Sequence, residues 1–311
     1  MNILVTGGAG FIASHVVDAY IAQGHNVTTI DNLSTGRRDH VHPGARFVEA
    51  DIRDREKVAT AFAATHFDLV NHHAAQMDVR RSVNDPVFDA SVNVLGMLNI
   101  LECCVASGVR RVVFASSGGA IYGEQDYFPA DEDHPVRPIS PYGVAKLTTE
   151  KYLFYYKTVH YIDSVALRYA NVYGPRQNPE GEAGVVAIFT SKMLADRQPV
   201  INGDGKQTRD YVYVGDVVRA NLLALQSSGL HVYNIGTGVE TDVNTLFHHL
   251  KDATGSDAGE IHAEAKKGEQ LRSVLDARRI HAALGWEPSV PIEEGLRLTV
   301  QYFQSKAGHG S

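Results

Sequence analysis

The chain is poor in cysteine. It has two cysteines in 311 residues, and they are sequence neighbours, Cys103 and Cys104. Adjacent cysteines rarely meet the geometry that a disulfide bond requires. We therefore expect buried free thiols in a reducing compartment, and hence a cytoplasmic protein.

The chain also lacks a basic excess and a long apolar run. It has 36 acidic residues against 29 Lys and Arg, for a formal net charge of −7 at pH 7. This balance favours neither nucleic-acid binding nor attachment to an anionic membrane. The longest apolar stretch, near residues 112–122, is interrupted by Ser and Gly and falls short of the roughly 18 residues of a membrane span. With no signal-peptide pattern at the start, we expect a small-molecule partner, no nucleic acid and no membrane.

What the sequence does contain is a regular alternation of short β-branched runs and helical patterns. Strand patterns at residues 3–5, 27–30, 69–71 and 111–115 are each followed by a helical pattern. Such alternation implies right-handed crossovers and a parallel sheet that is covered on both faces. The predicted fold class is therefore α/β: a doubly wound, Rossmann-type parallel sheet with a smaller mixed α/β lobe at the C-terminal end.

Loop signals suggest where the second lobe begins. Pro, Gly, Asn and Glu cluster at residues 174–184, and the strand–helix alternation becomes less regular there. Later helix and strand patterns, at 215–226 and 232–235, could return to the main sheet. We predict a main domain of residues 1–170 with 210–240, and a substrate lobe of residues 171–209 with 241–311.

A glycine-rich turn lies between the first strand and the first helix. Its spacing is Gly7-x-x-Gly10-x-x-Ala13, with a small alanine where a third glycine is common. In this position, backbone N–H groups and the helix N-terminus can bind a pyrophosphate. The turn predicts a dinucleotide site that includes Gly7, Gly10, Phe11 and Ile12.

A carboxylate ends the second predicted strand. Asp31 follows the turn by about 20 residues, where it can accept hydrogen bonds from the adenosine ribose and repel a 2′-phosphate. This favours NAD over NADP, although Arg37 and Arg38 keep NADP open. Asn32 stands beside Asp31 in the sequence. Further along, Asp51 and Ile52 could flank the adenine ring.

Small residues follow two later strands. Ala74, Ala75 and Gln76 come after His72-His73, and residues 116–119 are Ser-Ser-Gly-Gly. Ligands bind outside the carboxyl ends of such strands, so a flat nicotinamide ring could approach the backbone here. The histidines have no acidic or cysteine partner at metal-ligand spacing, and no metal is expected.

Tyr142 and Lys146 open a helix after Pro141, and their four-residue spacing places both side chains on one face. A phenol has a pKa near 10, so a base that works near pH 7 needs a shift of about 3 units. The lysine ammonium and an oxidised nicotinamide both favour the phenolate. Ser117, at a strand end, could bind the same substrate hydroxyl. The three residues predict abstraction of an alcohol proton coupled to hydride transfer.

These motifs together resemble the nucleotide-sugar epimerase/dehydratase family of extended short-chain dehydrogenases/reductases, over essentially the whole chain. The resemblance also includes several further segments: Asn93, residues 116–123, residues 167–175, residues 202–205 and residues 209–212.

The resemblance implies NAD as the cofactor and assigns roles to individual residues. Ser117, Tyr142 and Lys146 would be catalytic, and Asn93 and Tyr169 would lie in the cofactor site, with Tyr169 over the nicotinamide. The substrate would meet Asn171 and Arg209 at its phosphates, a second positive contact from Arg272 or Lys266, and Ser273 where many UDP-glucose enzymes have tyrosine. Arg209 could instead pair with Asp210 or Asp216.

The residues after Ser117 bear on the reaction. Dehydratases of this family typically have Asp-Glu there and decarboxylases a Glu, whereas this chain has Gly118-Gly119. We therefore expect 4-epimerisation of a UDP-hexose, UDP-glucose or UDP-galactose, through a transient 4-keto sugar in carbohydrate metabolism. UDP-glucuronate, UDP-N-acetylglucosamine, another NAD-dependent nucleotide-sugar reaction and a non-catalytic nucleotide sensor are the alternatives. The resemblance also implies a homodimer built on helices near residues 86–107 and 142–158.

Overall fold

The computed structural model describes residues 1–180, 184–265 and 270–307. The chain forms two compact units. The first consists of Met1–Ile121, Val136–Arg168 and Val218–Tyr233. The second consists of Tyr122–Pro135, Tyr169–Val217 and the described residues from Asn234 onward.

The secondary structure alternates between strands and helices, as the sequence predicted. The strands are β1 (Asn2–Thr6), β2 (Asn26–Asp31), β3 (Arg46–Glu49), β4 (Leu69–His72), β5 (Arg111–Ser117), β6 (Asp163–Tyr169), β7 (Asn171–Tyr173), β8 (Ile201–Asn202), β9 (Thr208–Tyr213), β10 (Leu230–Ile235), β11 (Glu240–Asp242), β12 (His262–Ala263) and β13 (Arg272–Ser273). The helices are α1 (Phe11–Ala22), α2 (Arg55–Ala63), α3 (Val79–Asn84), α4 (Pro86–Ala90), α5 (Met97–Ser107), α6 (Gly118–Ile121), α7 (Pro141–His160), α8 (Val185–Leu194), α9 (Val214–Ala224), α10 (Val243–Thr254), α11 (Arg278–Leu284) and α12 (Ile292–Ala307).

The first unit is built on a parallel sheet. Within the described residues, seven strands are ordered β10-β6-β5-β4-β1-β2-β3, and β1 is parallel to both of its neighbours, β2 and β4. The apolar side chains of β1 are fully buried, as in strands covered on both faces. The predicted doubly wound fold is confirmed. The chain order reverses beside β1, and open sheets of this kind bind ligands at that point.

Local sequence signals fix the start of α7. Ser140 is its N-cap and accepts a hydrogen bond from the Gly143 backbone N–H at 3.1 Å. Pro141 occupies the first helical position, where its missing N–H costs nothing. Tyr142 is consequently the second residue of a capped, well-defined helix.

A long apolar helix connects β4 to β5. Helix α4, a π-helical segment (Ser91–Gly96) and α5 run on from one another. Among the described residues, Pro86–Ser107 alone has the length and composition of a membrane span, with a mean hydropathy of 1.5. Its place as the crossover between two adjacent strands of the parallel sheet identifies it instead as a helix of this domain. The longest apolar stretch expected from the sequence lies elsewhere, near residues 112–122, because the helical segment of residues 86–107 is apolar in its average composition and not in one unbroken run.

The second unit has its own sheet and core. In the described residues, β9 pairs with β7, β11 and β13, antiparallel to β11 and parallel to the other two. Buried apolar side chains from α8, α10 and α12 form a separate core with Tyr173 and Tyr211. The prediction of a smaller mixed α/β lobe is confirmed.

The boundaries of the units differ from the expected ones at residues 122–135, 169–170, 210–217 and 234–240, all of which lie in the second unit. Residues 122–135 lie in the second unit, where Ala130 bridges to Leu275. Residues 210–217 also lie there, because β9 joins the small sheet and the Trp286 indole N–H donates to the Asp216 carbonyl at 2.9 Å. The differences at residues 122–135 and 210–217 arise from strand pairing and side-chain packing between residues that are far apart in the sequence. Composition and loop signals do not encode such contacts.

Candidate active site

The glycine-rich turn has the conformation that a pyrophosphate site needs. Gly7 has a φ of 71°, and a Cβ there would lie 2.7 Å from the backbone nitrogen of Ala74. Only glycine combines this φ with so close an approach. Gly10 is the N-cap of α1 and provides no capping side chain. The helix N-terminus, which begins with Phe11 and Ile12, can therefore accept an anion.

Asp31 closes this turn from the end of β2. Its carboxylate accepts backbone hydrogen bonds from Ala9 at 3.0 Å and Leu33 at 2.8 Å. Burial raises the pKa of Asp31, and these two bonds oppose the rise. The remaining lone pairs of the fixed carboxylate can accept ribose hydroxyls.

The two arginines that kept NADP open are engaged elsewhere. Arg37 is ion-paired with Asp39 at 3.0 Å, and the Arg38 guanidinium lies 3.9 Å from the centre of the Phe47 ring. Neither contact suits the binding of a 2′-phosphate, so the geometry agrees with NAD as the cofactor.

Asp51 and Ile52 are more constrained than the sequence suggested. Arg53 donates two side-chain hydrogen bonds to Asp51, at 2.9 and 2.8 Å, and Asn32 donates a third at 2.9 Å. The Arg53 guanidinium holds the pKa of the Asp51 carboxyl well below its usual range. Ile52 is buried and packs so closely on Gly96 that a Cβ there would lie 2.6 Å from it. Their contacts with adenine remain predictions.

Two neighbouring histidines, His72 buried and His73 half-buried, precede the loop that contains Ala74, Ala75 and Gln76. The Nδ1 atom of His72 is 2.8 Å from the Thr6 hydroxyl, which also accepts from the Ala74 N–H at 3.2 Å. Burial lowers the pKa of both His72 and His73 to about 3, so both imidazoles are neutral. Among the described residues no three His, Cys, Asp or Glu side chains are grouped as metal ligands.

Asn93 fixes the loop that contains Ala75 and Gln76. Its side-chain oxygen accepts from the Gln76 N–H at 2.9 Å, and its amide group donates to the Gln76 carbonyl and the Asp89 carboxylate, both at 2.9 Å. Both amide hydrogens are therefore used within the protein. Asn93 thus positions this loop, and its predicted contact with the cofactor stays a prediction.

The structure brings the three predicted catalytic side chains together in the first unit. Ser117, at the end of β5, is hydrogen-bonded to the phenol of Tyr142. Lys146 is buried, and its ammonium donates to the Ala115 carbonyl at 2.8 Å. The ammonium nitrogen lies 5.6 Å from the centre of the Tyr142 ring. One strand end and one helix face thus provide the whole set.

The electrostatics of this set differ from the simplest expectation. Burial raises the pKa of Tyr142 to about 12, and the hydrogen bond from Ser117 opposes this rise. Burial also lowers the pKa of Lys146 to about 8, against the negative charges of Asp89 and Glu150. Without a cofactor the phenol is therefore protonated at neutral pH, because desolvation outweighs the hydrogen bond from Ser117. The positive charge of a bound, oxidised nicotinamide would favour the phenolate.

Sequence reasoning missed a buried ion pair one turn further along α7. Arg168 donates to Glu150 at 2.9 and 2.6 Å, and the Ser116 hydroxyl donates to the same carboxylate at 2.7 Å. These contacts join α7 to β5 and β6 and hold the catalytic helix in place. The available signal was the spacing: Tyr142, Lys146 and Glu150 recur every four residues.

The second unit groups three of the predicted substrate residues on one sheet face. Ser273 is paired in register with Arg209, and Asn171 with Tyr211. Arg209 and Tyr211 are two residues apart on β9, so their side chains share a face. Asn171, Arg209 and Ser273 consequently lie on the same face of the small sheet.

Arg272 lies on the opposite face, because it neighbours Ser273 on a strand. Its guanidinium donates twice to Glu240, at 2.8 Å each, and stacks 3.7 Å from the centre of the Phe128 ring. The structure therefore does not place it with Arg209. The alternative second contact, Lys266, lies outside the described residues.

The remaining predicted residues have defined surroundings. Tyr169 is buried at the end of β6. Asp210 accepts N–H bonds from Thr237 at 2.8 Å and Gly238 at 3.1 Å, and Asp216 accepts from the Ser289 hydroxyl at 2.8 Å. Asp210 and Asp216 thus each have neutral donors among their partners.

The class of protein follows from three features: a doubly wound sheet, a glycine-rich turn at the point where its strand order reverses, and the Ser–Tyr–Lys set. Together they define a dinucleotide-dependent enzyme that acts at a carbon bearing a hydroxyl group. The model of the NAD dependent epimerase/dehydratase family matches residues 3–236. The chain belongs to this family, and the earlier resemblance is confirmed.

Solved structures of similar proteins agree. A UDP-glucose 4-epimerase of Thermotoga maritima, with UDP-glucose, is 50% identical with a TM-score of 0.97, over 99% of this chain and 100% of that one. A UDP-glucose 4-epimerase of Thermus thermophilus, in complex with NAD, is 46% identical with a TM-score of 0.93, over 98% of this chain and 99% of that one. A UDP-N-acetylglucosamine 4-epimerase of Methanobrevibacter ruminantium, in complex with UDP-N-acetylmuramic acid, is 34% identical with a TM-score of 0.93, over 98% of both chains.

Proposed function

We propose that this protein is an NAD-dependent 4-epimerase that interconverts UDP-glucose and UDP-galactose through a transient 4-keto sugar, in carbohydrate metabolism. The observation that carries the proposal is the cluster of Ser117, Tyr142 and Lys146, together with the two glycines that follow Ser117 in the sequence. The glycines offer no side chain for the elimination or decarboxylation steps of related enzymes. The similarity to epimerases with UDP-glucose and with NAD supports the same choice.

The mechanism uses the first unit for proton transfer. Tyr142 as phenolate takes the proton of the sugar 4-hydroxyl, which the Ser117 hydroxyl holds in line. Lys146 stabilises the phenolate by its charge. When bound, NAD supplies a reversible acceptor for the hydride of C4. After the 4-keto sugar has turned, the Tyr142 phenol would return the proton to O4 as C4 regains the hydride on its opposite face, so the residues end the cycle unchanged.

The second unit would bind the nucleotide diphosphate. The Arg209 guanidinium matches phosphate oxygens in a bidentate manner, and Asn171 shares its sheet face. We assign the diphosphate to this face. A sugar held by its nucleotide can turn about the glycosidic link while remaining bound, which epimerisation requires.

The decisive test is turnover without added cofactor. Purified protein is incubated with UDP-galactose, and we expect an equilibrium mixture with UDP-glucose and no net consumption of NAD. Product analysis over a panel that includes UDP-glucuronate and dTDP-glucose defines the substrate range. A 4-keto-6-deoxy product would show a dehydratase, and binding without any turnover would show a nucleotide sensor; either result overturns the proposal.

A second substrate, UDP-N-acetylglucosamine, is favoured by Ser273. This small, buried residue shares a sheet face with Arg209, and a similar structure is a UDP-N-acetylglucosamine 4-epimerase. We expect measurable activity on this substrate. Ser273→Tyr should suppress it while UDP-glucose turnover persists, whereas equal loss on both substrates would argue against a size gate.

We also propose a cytoplasmic homodimer. Apolar side chains are exposed on two helical segments of the first unit: Val87 at 78% and Leu95 at 58% lie between residues 86 and 96, and Phe154 at 61% lies on α7. A second copy that pairs these helices would cover them. Light scattering should give a dimer mass, and a Leu95→Glu, Phe154→Glu variant a monomer. A monomeric parent protein would contradict the proposal.

A further inference from the structure

Asp89 is a buried carboxylate that neither the fold nor the proposed mechanism accounts for. It lies on α4 and is 1% exposed. Its Oδ1 accepts from Gln76 at 3.0 Å and Asn93 at 2.9 Å, which are neutral amide donors. Within the described part of the chain, its Oδ2 has no hydrogen-bond partner. A buried charge in this state is costly unless an opposite charge lies near.

The helical segment that carries Asp89 packs on α7 one turn from Lys146: the Asn93 amide donates to Asp89 at 2.9 Å, and the Asn93 carbonyl accepts from the Thr149 hydroxyl at 3.3 Å. Burial raises the pKa of Asp89 and the charge of Lys146 opposes this rise, while the charge of Asp89 raises the pKa of Lys146. The second carboxylate near Lys146, Glu150, is compensated by its own two-bond ion pair with Arg168. Asp89 is therefore the carboxylate whose charge is left to balance the ammonium.

We propose that Asp89 is a positioning residue: its buried carboxylate supplies the counter-charge that keeps the Lys146 ammonium in place beside Tyr142. This inference rests on the proposed function for its catalytic consequence. The titratable groups around Lys146 are Tyr142, Asp89, Glu150, His72 and His73. The two histidines stay neutral above about pH 3, so they do not titrate in an assay between pH 6 and pH 9.

Removal of the Asp89 charge has a defined sign. Its negative charge raises the pKa of both Lys146 and Tyr142, so Asp89→Asn lowers both. The Lys146 ammonium of the variant then loses its proton at lower pH. The alkaline limb of the pH profile of kcat should therefore move down by about one pH unit, which is within the usual range of pKa shifts caused by a nearby charge. The asparagine oxygen can still accept from Gln76 and Asn93, which preserves the loop.

The matched control is Asp85→Asn. Asp85 caps the same helix on its exposed side, and asparagine caps as well as aspartate. The pH profile of kcat is measured for the wild type and both variants. We expect the alkaline limb to move only in Asp89→Asn. A lower kcat with an unmoved limb would show a merely structural role and overturn the proposal, as would an unchanged profile.

A direct titration separates this proposal from the proposed function. The Lys146 resonance is assigned in lysine-labelled protein by comparison with Lys146→Met, and its midpoint is followed by NMR. Asp89→Asn should lower the midpoint by about one unit whether or not the protein epimerises sugars. If Asp89→Asn does not fold, the reciprocal measurement serves: Lys146→Met should raise the Asp89 midpoint, since pairwise coupling acts equally on both sites. No movement in either titration overturns the proposal.

Discussion

Lys146 follows Tyr142 by one helical turn, and its ammonium nitrogen lies 5.6 Å from the centre of the phenol ring. At neutral pH the phenol is protonated and the ammonium is still largely charged, because burial raises the pKa of the phenol to about 12 but lowers the pKa of the ammonium only to about 8. The proposed base catalysis therefore requires the additional positive charge of an oxidised nicotinamide, and several measurements can test this.

Tyr142→Phe should lower kcat for UDP-galactose by about 10²- to 10⁴-fold, the usual contribution of a general acid–base group. The ring remains, so NAD content and thermal stability should stay close to those of the parent protein. The control is Tyr161→Phe, at a tyrosine that is 73% exposed, which should retain full activity. Near-normal kcat in Tyr142→Phe would exclude the phenol as the proton acceptor.

The ionisation of Tyr142 should depend on the redox state of the cofactor. In the free protein its pKa is raised, so the phenol stays protonated through neutral pH. The positively charged nicotinamide ring of NAD favours the phenolate, whereas NADH fills the same site with a nicotinamide ring that is neutral. The tyrosinate absorbance, taken as wild type minus Tyr142→Phe, should therefore appear at lower pH with NAD than with NADH. Identical titration midpoints of Tyr142 with NAD and with NADH would show that the nicotinamide charge does not promote ionisation of the phenol.

Glu150→Gln should destabilise the first unit strongly. The Glu150 and Arg168 side chains are each 6% exposed, and removal of one partner of a buried pair costs about 3–5 kcal/mol. The free energy of unfolding in urea measures this at fixed NAD concentration. The double variant Glu150→Leu, Arg168→Met should recover most of the loss, because it leaves no unpaired charge. A loss below about 1 kcal/mol in the single variant would contradict this role.

Asp31→Asn should weaken NAD binding by about 10-fold and reduce the preference of the protein for NAD over NADP. One charge-assisted hydrogen bond to a ribose hydroxyl is worth about 1.5–3 kcal/mol, and loss of the negative charge also removes its repulsion of a 2′-phosphate. Calorimetric titration of both cofactors checks the prediction. Asp54→Asn, which keeps the cap of α2, is the control. An unaltered NAD/NADP ratio would mean that Asp31 serves only the turn.

Arg209→Ala and Arg272→Ala should behave differently. Arg209 shares a sheet face with Asn171 and Ser273, whereas Arg272 is paired with Glu240 on the other face. We expect KM for the UDP-sugar to rise about 10- to 100-fold in Arg209→Ala, equivalent to about one charge-assisted hydrogen bond. Arg272→Ala should change KM by less than about threefold. Equal effects would assign both arginines to the diphosphate.

The sequence by itself determined the features that depend on local order. The alternating strands and helices, the Gly7–Gly10 turn, Asp31 at a strand end and the Tyr142–Lys146 spacing each follow from backbone periodicity or from a single turn. These are short-range constraints, so they can be recognised in the sequence without coordinates.

Tertiary structure alone decided how residues far apart in the chain share charge and space. It paired Glu150 with Arg168, turned Arg272 away from Arg209, joined Asn32 to Asp51 and left Asp89 as a buried charge near Lys146. It also set the protonation preferences of the catalytic pair, since desolvation depends on every atom packed around a group. Neither the register between strands nor the depth of burial is encoded in the spacing of a motif.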